Sequence, residues 1–349
     1  MTRPPLASLS AELVGLLAAL LAVLGALLAW RRRRRSRRDG GRVTASGPAP
    51  GGVRTDDGLL LHVEEDGDPD APVTVVFSHG FTAQLGEFVL QRETLRTRAR
   101  LVLYDQRGHG RSPLGARENA TTEQLGRDLA AVLEQRVPRG PVVLVGHSMG
   151  GITLMTFARQ HPDVVRDRVA GVFLLATSAS DLASSGLSGA VLRAGNRLHL
   201  VPVWLRSFQL SAPLLERRRR RGTRAGYLLV QRLLFGRDDV DPGLVRMMQN
   251  MLEATPMTTV AAFYPSLLGH DERAALPVLA QVPTTVLVGD CDRLTPASHS
   301  QRMATELGPR CRLVVVPGAS HSVNITRQSV VDDALLELLE RSTARQGAA

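Results

Sequence analysis

The chain has 349 residues, enough for one large globular domain or two small ones, and its hydrophobic content of 44% fits that class. Its two cysteines, Cys291 and Cys311, are too few for a disulfide framework, so the sequence implies no oxidising compartment. Much of the net charge of +10 is local, in arginine-rich blocks at residues 31–38 and 217–221, so it does not indicate a basic surface over the whole protein.

The first predicted element is an apolar helix near the N-terminus. Residues 13–30 carry no charge. At about 1.5 Å per residue they span roughly 27 Å as a helix, close to the hydrocarbon core of a bilayer. The arginine block at 31–38 follows this run, whereas a signal peptide has its positive charge before it. We therefore expect residues 1–38 to form an uncleaved single-pass membrane anchor, with a signal peptide or a core helix as alternatives.

The arginine block at 31–38 also sets the expected location of the chain. Positive-inside counting places the N-terminus outside and the rest of the protein in the cytoplasm. The arginines would lie on anionic headgroups, although a stop-transfer signal alone would explain them. Nucleic-acid binding is not expected, because the block lies against an apolar helix and has no interleaved aromatic residues.

The rest of the chain alternates between strand and helix patterns. Residues 39–52 are rich in Gly and Pro and are predicted to be a flexible linker. The alternation that follows predicts a mostly parallel sheet covered by helices on both faces. We expect this sheet domain in two parts, 53–178 and 283–349, with a helical lid at 179–282, where no clear strand pattern is found. The predicted strands are 59–65, 73–79, 100–105, 142–145, 168–178, 284–290 and 312–318, and the predicted helices include 93–99, 121–137, 297–307 and 328–341.

The strongest functional signal is the stretch VVLVGHSMGG at 142–151. Its apolar residues indicate an interior strand, and helical spacing follows at once, which leaves a very tight turn at Ser148. Gly146 and Gly150 complete the pattern G-x-S-x-G, in which glycines let strand and helix approach closely and the serine is strained. The Ser148 hydroxyl would project from the carboxyl edge of the sheet, and the Met149 N–H would face a substrate oxyanion. The pattern predicts a nucleophilic serine rather than a mere tight turn.

A serine nucleophile needs a base, and the base needs an acid that orients it. His321 lies on the loop after the last predicted strand and is the predicted base. Two carboxylates, Asp290 and Asp292, end the preceding strand. We favour Asp292 as the partner of His321, because it lies further into the loop. Asp290 and Asp181 remain alternatives, and each aspartate would otherwise be a turn or helix cap.

Two further loops follow strands that precede Ser148. In the stretch SHGF at 78–81, the backbone amide of Phe81 is the predicted second oxyanion donor, and His79 is expected to brace the loop. The stretch YDQRGHGRS at 104–112 is expected to form a rigid turn near the site. His299 lies on a predicted helix and is expected at the surface. No spacing of histidines and cysteines suits a metal site.

Together these motifs carry a family resemblance. H-G-x, D-x-R-G-x-G-x-S, G-x-S-x-G-G, G-x-x-D-x-x-x-P and a late G-x-x-H stand in the order found in the α/β-hydrolase superfamily. Over roughly residues 53–342, the chain resembles lid-bearing serine hydrolases of the esterase, lipase and haloperoxidase-like group. The resemblance implies an α/β-hydrolase fold, a triad in the order Ser148, Asp292, His321, and no metal or organic cofactor. Superfamily members that open epoxides or remove halides carry aspartate at the nucleophile position, so Ser148 argues against both activities.

The expected function is hydrolysis of a carboxylic ester through an acyl-enzyme. The predicted anchor and the apolar stretch at 198–215 favour a lipid or acylglycerol-like ester drawn from the membrane. Met247, Met248, Met251 and Met257 would line a pliant acyl-chain pocket, unless they form the core of the lid itself. The alternatives are an acyltransferase or cofactor-free perhydrolase with the same triad, and a non-catalytic, membrane-tethered binding module.

Overall fold

The computed structural model describes residues 52–182, 206, 209–212, 231–236 and 240–346. In chain order the strands are β1 (Val53–Arg54), β2 (Leu60–Leu61), β3 (Val63–Gly67), β4 (Thr74–Ser78), β5 (Arg100–Tyr104), β6 (Val142–His147), β7 (Val169–Leu175), β8 (Thr284–Gly289) and β9 (Cys311–Val316). The helices are α1 (Val89–Leu95), α2 (Thr122–Arg136), α3 (Met149–Gln160), α4 (Pro162–Arg168), α5 (Pro242–Ala254), α6 (Met257–Gly269), α7 (Leu276–Leu279), α8 (Ala297–Leu307), α9 (Val323–Thr326) and α10 (Gln328–Gln346).

In the described part of the chain, one seven-stranded sheet carries the fold, in the order β3-β5-β4-β6-β7-β8-β9. Strand β3 runs antiparallel to β5, and the other neighbours are parallel. The mostly parallel sheet expected from the sequence is therefore confirmed. Because the parallel strands share one direction, the loops after β4, β6, β7, β8 and β9 all leave the same edge of the sheet.

The central strands are buried on both faces because successive side chains enter two different cores. In β6, Val142 and Leu144 belong to one hydrophobic cluster, and Val143 and Val145 belong to the other. All four are at most 1% exposed. This explains why the sequence shows a continuous apolar run here instead of an alternation of polar and apolar residues.

Helices cover both faces of the sheet, as expected from the sequence. The first cluster receives Leu129 from α2, Ile152 from α3 and Met303 from α8. The second cluster receives Leu95 from α1 and Leu335 from α10. The two layers leave the carboxyl edge of the sheet open for the loops that carry the candidate site residues.

Part of the predicted lid at 179–282 lies within the described residues. Helix α5 and the turn at 231–235 contribute Phe235, Val245 and Met248 to a third hydrophobic cluster, which also contains Ile325 of α9. Helix α7, near the end of the predicted lid, packs instead in the first core cluster with the sheet and helix α3.

The predicted anchor at 1–38 and almost all of the linker at 39–52 lie outside the described residues, as does the arginine block at 217–221. Within the described ranges, no helix combines the length and the apolar character needed to cross a membrane. The prediction of a membrane anchor therefore remains a prediction.

The strand expected at 168–178 ends at Leu175, and the helix expected at 328–341 continues to Gln346. Two further predicted elements differ in more than their length. The strand expected at 59–65 is divided into β2 and β3, of which only β3 joins the large sheet. The helix expected at 93–99 is α1, displaced toward the N-terminus by four residues at each end. The helix includes the earlier residues because Gln91 and Leu95, one helical turn apart, form its buried side. Ala99, which also belongs to the core, follows the helix.

The loop at 104–112 is held by a buried arginine. Arg107 has no exposed surface, and its Nε and Nη2 donate to the two carboxylate oxygens of Asp128 on α2, at 2.6 and 2.7 Å. Its Nη1 donates to Asp57 at 2.9 Å. The loop is therefore tied to α2 and to the turn between β1 and β2, in agreement with the rigid turn expected from the sequence.

We expect Asp128→Leu to lower the free energy of unfolding by about 1–3 kcal/mol, because two buried donors of Arg107 lose their acceptor and the exposed Asp57 remains as its partner. The matched variant Glu93→Leu breaks the exposed pair with Arg96 and should cost less than about 1 kcal/mol. Urea unfolding of both variants measures the difference. Equal losses in the two variants would contradict the role assigned to Arg107.

Candidate active site

The turn between β6 and α3 consists of Ser148 alone, since β6 ends at His147 and α3 begins at Met149. Ser148 has φ 52° and ψ −115°, a conformation that non-glycine residues rarely adopt. Its N–H donates to the Leu175 carbonyl at 2.9 Å, and its carbonyl accepts from Thr177 Oγ1 at 2.7 Å. The end of β7 therefore holds the strained turn in place.

The glycines of the motif are required by close packing around this turn. A Cβ added to Gly150 would lie 1.8 Å from the Ser78 carbonyl oxygen, and one added to Gly146 would lie 2.6 Å from the Gly150 carbonyl group. A Cβ on Gly151 would lie 2.6 Å from the side chain of Thr177. Strand β4, strand β6 and helix α3 can approach this closely only without side chains at these positions.

The structure brings His321 and Asp292 together, although they lie on different loops. His321 Nδ1 donates to Asp292 Oδ2 at 2.8 Å, and both residues are at most 4% exposed. The second oxygen, Oδ1, accepts the N–H groups of Leu294 and Thr295 at 2.8 and 2.9 Å, and Thr295 Oγ1 donates to Oδ2 at 2.8 Å. Asp292 is thus fixed by its own loop and presents one oxygen to the imidazole.

The surroundings of Asp292 favour its charged form. Burial acts to raise the pKa of this carboxyl group, but the His321 ring and the donors of Thr295 outweigh burial and hold the pKa below its ordinary value. A charged acceptor at Nδ1 orients the ring and leaves Nε2 as the free nitrogen of neutral His321.

The two alternative acids lie elsewhere. Asp290 is exposed and accepts the Gly318 N–H at 2.7 Å. Asp181 is exposed, has φ 64° and accepts from Ser180 Oγ at 3.0 Å. Of the three aspartates considered from the sequence, Asp292 is the one hydrogen-bonded to His321.

The residues of the two predicted oxyanion donors lie at the start of α3 and on the loop after β4. Met149 is the first residue of α3, where backbone N–H groups have no carbonyl partner within the helix. Phe81 lies on the loop directly after β4, one residue beyond Gly80. Both residues border the same cavity as Ser148 and His321.

This cavity has a volume of about 430 Å³ and mostly apolar walls. Side chains from α3, α5 and α6 provide much of the wall, among them Ile152, Met248, Leu252 and Leu267. The exposed side chain of Arg293 lies among the polar lining residues. Of the four methionines considered from the sequence, Met248 borders the cavity in the described part of the chain.

A second buried acid–imidazole pair, which the sequence did not reveal, also borders the cavity. Glu87 Oε1 and His147 Nδ1 are 2.8 Å apart, and the two residues are 1% and 2% exposed. Sixty positions separate them in the chain. The only sequence signal was the identity of His147, next to Ser148.

The remaining histidine predictions have mixed outcomes. His79 accepts the Gln106 N–H at its Nε2, at 2.9 Å, and so braces its loop as expected. The prediction that His299 is at the surface is wrong: it is 3% exposed, and its Nδ1 lies 2.6 Å from Ser178 Oγ. Among the described residues, no group of three or more His, Cys, Asp or Glu side chains could hold a metal ion.

Comparison with known proteins gives one family and several relatives. The family Hydrolase_4, described as serine aminopeptidase S33, matches residues 69–326. The chain is 28% identical over 293 residues to the 2-(acetamidomethylene)succinate hydrolase of Mesorhizobium japonicum, covering 81% of this chain and 92% of that protein. It is 28% identical over 305 residues to the dihydrolipoyllysine-residue acetyltransferase component of the acetoin cleaving system of Pseudomonas putida, covering 87% of this chain and 72% of that protein.

A solved structure of similar fold is the malate-bound thermophilic esterase of Thermogutta terrifontis. Its TM-score is 0.64 at 28% identity, with 83% of this chain and 98% of that chain covered. The similarity extends over nearly the whole of that esterase.

We expect Gly150→Ala to destabilise the protein by about 1–3 kcal/mol or more, because the new methyl group collides with the Ser78 carbonyl oxygen. The matched control is Gly269→Ala at the end of α6, where no atom lies within 4 Å of the added Cβ. Chemical unfolding should show the loss in the first variant only. A Gly150→Ala protein of unchanged stability would contradict the tight packing described here.

Proposed function

Because the chain belongs to the Hydrolase_4 (serine aminopeptidase, S33) family, we propose that it is a serine hydrolase that cleaves carboxylic esters through an acyl-enzyme. The observation that carries the proposal is the shared cavity. The strained Ser148, His321, Phe81 and Met149 all border it, and Asp292 holds the His321 ring from outside the cavity lining. These are the groups that acyl transfer to a serine requires.

In the proposed mechanism, His321 Nε2 takes the proton of the Ser148 hydroxyl as Oγ attacks the ester carbonyl carbon. The oxyanion accepts the N–H groups of Phe81 and Met149. The intermediate collapses, and His321 returns the proton to the leaving alcohol. Water then attacks the acyl-enzyme with the same base and releases the acid. Asp292 keeps the Nδ1 proton in place throughout, so that Nε2 remains the reactive nitrogen.

The cavity favours an apolar acyl group over a peptide. An aminopeptidase must bind an N-terminal ammonium group, for which a carboxylate is the natural partner. Among the described residues that border the cavity, the one carboxylate is Glu87, and it is already paired with His147 and with the Gly80 N–H. Aliphatic residues instead provide much of the wall, which suits an acyl chain.

The proposal extends to a lipid or acylglycerol-like substrate at a membrane. Its support is the uncharged run at 13–30, followed by the arginine block at 31–38, together with the apolar cavity. In this proposal the N-terminal helix anchors the protein, and the hydrolase domain lies on the cytoplasmic side. No nucleic-acid partner is proposed.

Acyl transfer to another acceptor is the second candidate. The relative from Pseudomonas putida is named an acetyltransferase component, and it aligns with 87% of this chain. Hydrolysis and acyl transfer share every step up to the acyl-enzyme, so the same residues serve both. They differ in whether water, an alcohol or a thiol accepts the acyl group.

Ser148→Ala tests the proposed nucleophile. We expect a fluorophosphonate probe to label the full chain in detergent at Ser148, and the variant to lose the label together with roughly 10⁴- to 10⁶-fold of ester hydrolysis. Peptide mass spectrometry locates the label, and a p-nitrophenyl ester series measures hydrolysis.

The control for this test is Ser178→Ala. Ser178 is also buried and also hydrogen-bonded to a histidine, His299, but it does not border the cavity. This variant should be labelled like the wild-type protein. A wild-type protein that stays unlabelled would contradict the proposal and favour a non-catalytic binding module.

Leu252→Trp tests the proposed acyl-chain pocket. The larger side chain fills the cavity, so kcat/KM for long-chain esters should fall by roughly tenfold or more relative to the acetate ester. Leu244→Trp lies on the same helix but outside the cavity lining and should keep the wild-type ratio. A uniform loss across all chain lengths in Leu252→Trp would contradict the assignment of the pocket.

A further inference from the structure

The Glu87–His147 pair contacts three of the segments that carry the proposed catalytic groups. Glu87 Oε2 accepts the N–H of Gly80 at 2.8 Å, one residue before the proposed oxyanion donor Phe81. His147 lies directly before Ser148, and its Nε2 donates to the backbone carbonyl of His321 at 3.2 Å. The two side chains therefore bridge the loops after β4, β6 and β9.

We propose that Glu87 and His147 form a positioning pair that fixes three segments relative to one another. These are the loop after β4 that carries Phe81 (the oxyanion loop), the turn at Ser148 (the nucleophile turn) and the loop after β9 that carries His321 (the histidine loop). This inference rests on the proposed function, because it assigns the pair to the same site. Neither residue reacts in the proposed mechanism. The pair acts through Phe81, Ser148 and His321, whose relative placement decides the rate of acyl transfer.

The hydrogen-bond partners define the protonation state of the pair. His147 Nε2 faces a carbonyl oxygen, which only accepts, so this nitrogen must carry a proton. Nδ1 faces Glu87, and the directions of the two pKa shifts assign the shared proton to His147, as an imidazolium beside a carboxylate. Burial acts against both charges, but each partner outweighs it, and the pKa of His147 is raised while that of Glu87 is lowered.

The charged groups around the pair are consistent with this state. Asp292 acts to raise the pKa of His147. His79, on the loop after β4, accepts the Gln106 N–H at Nε2, and burial lowers its pKa, so it places no positive charge beside the pair. The His147 and His321 rings lie 4.9 Å apart between centroids, so the pair is directly adjacent to the proposed base.

A stability role alone does not explain the pair. A buried ion pair is weak evidence for stability, because apolar residues of similar volume often serve the core as well or better. The connections of Glu87 also continue into the histidine loop: Asn324 Nδ2 donates to the Glu87 carbonyl at 3.2 Å, three residues after His321. The Glu87 backbone thus contacts this segment directly, and its side chain reaches the same segment through His147.

Two substitutions of Glu87 separate geometry from charge. Glu87→Leu removes the acceptor for Gly80 and His147. Glu87→Gln keeps an oxygen for the Gly80 N–H and offers an N–H to His147 Nδ1, so His147 Nε2 can still donate to the His321 carbonyl. The matched control is Glu272→Leu, which removes an equally buried carboxylate that binds Arg159 and Thr156 outside the cavity lining.

The measurement is the labelling kinetics of the full chain with a fluorophosphonate probe, resolved into a maximal rate and a half-saturating concentration. For Glu87→Leu we expect the maximal rate to fall about 10- to 100-fold, with the half-saturating concentration unchanged. Glu87→Gln should recover most of the rate. Glu272→Leu should lose stability in thermal unfolding but keep the wild-type labelling rate.

Each outcome bears on a different claim. A Glu87→Leu protein that labels as fast as wild type would overturn the positioning pair while leaving the nucleophile intact. A wild-type protein that is not labelled at Ser148 would instead overturn the proposed function.

If Glu87→Leu does not fold, nitrogen-15 NMR of the wild-type histidines decides the matter. A protonated Nε2 on His147 at neutral pH supports the bridge, and an unprotonated Nε2, which could not donate to the His321 carbonyl, overturns it.

Discussion

The backbone at Ser148 is the constraint on which the arrangement of the site depends. Its positive φ is an unfavourable conformation for serine, and the surrounding chain has to compensate for it. The compensation comes from the Leu175 carbonyl, the Thr177 hydroxyl and the close contact of Gly150 with Ser78. One strained residue therefore ties β4, β6, β7 and α3 together at the carboxyl edge of the sheet. The same contact brings the first amide of α3 close to the loop after β4, where an oxyanion would be bound in the proposed mechanism.

Two buried carboxylates impose order on the loops that meet at this edge. Asp292 is fixed by the N–H groups of its own loop and offers one oxygen to His321. Glu87 is fixed by the Gly80 N–H and offers one oxygen to His147. In each case the carboxylate binds Nδ1 of the imidazole, and Nε2 is directed away from the carboxylate: toward the proposed reaction in His321, and to the His321 carbonyl in His147. The low dielectric that makes unpaired charges costly also makes these pairs strongly directional.

The sequence predicted the parts of this fold that depend on local pattern. Apolar runs located the central strands, and the glycines around Ser148 identified its turn. Each of these patterns is complete within about ten consecutive residues, so it can be recognised without knowledge of distant contacts. Contacts between segments that are distant in the chain could not be predicted from the sequence in the same way. Asp290 and Asp292 could not be separated with certainty, since the choice depends on Thr295 and on where His321 reaches across from another loop.

The same limit explains the missed and mistaken residues. His299 looked like a surface residue of an amphipathic helix, but Ser178, 121 positions away, provides a buried partner for it. Glu87 and His147 are separated by 60 positions, and nothing near either residue indicates the other. Buried polar pairs between loops are set by tertiary packing, and periodicity carries no information about them.

The central claim is that Ser148, His321 and the amides of Phe81 and Met149 form one acyl-transfer site. The most direct test is a crystal structure of the protein after reaction with a fluorophosphonate. The account predicts a phosphonate on Ser148 Oγ, with one phosphonyl oxygen about 2.7–3.1 Å from both the Phe81 and the Met149 nitrogen atoms. A phosphonate attached to another residue, or one whose oxygen lies away from both amides, would contradict it.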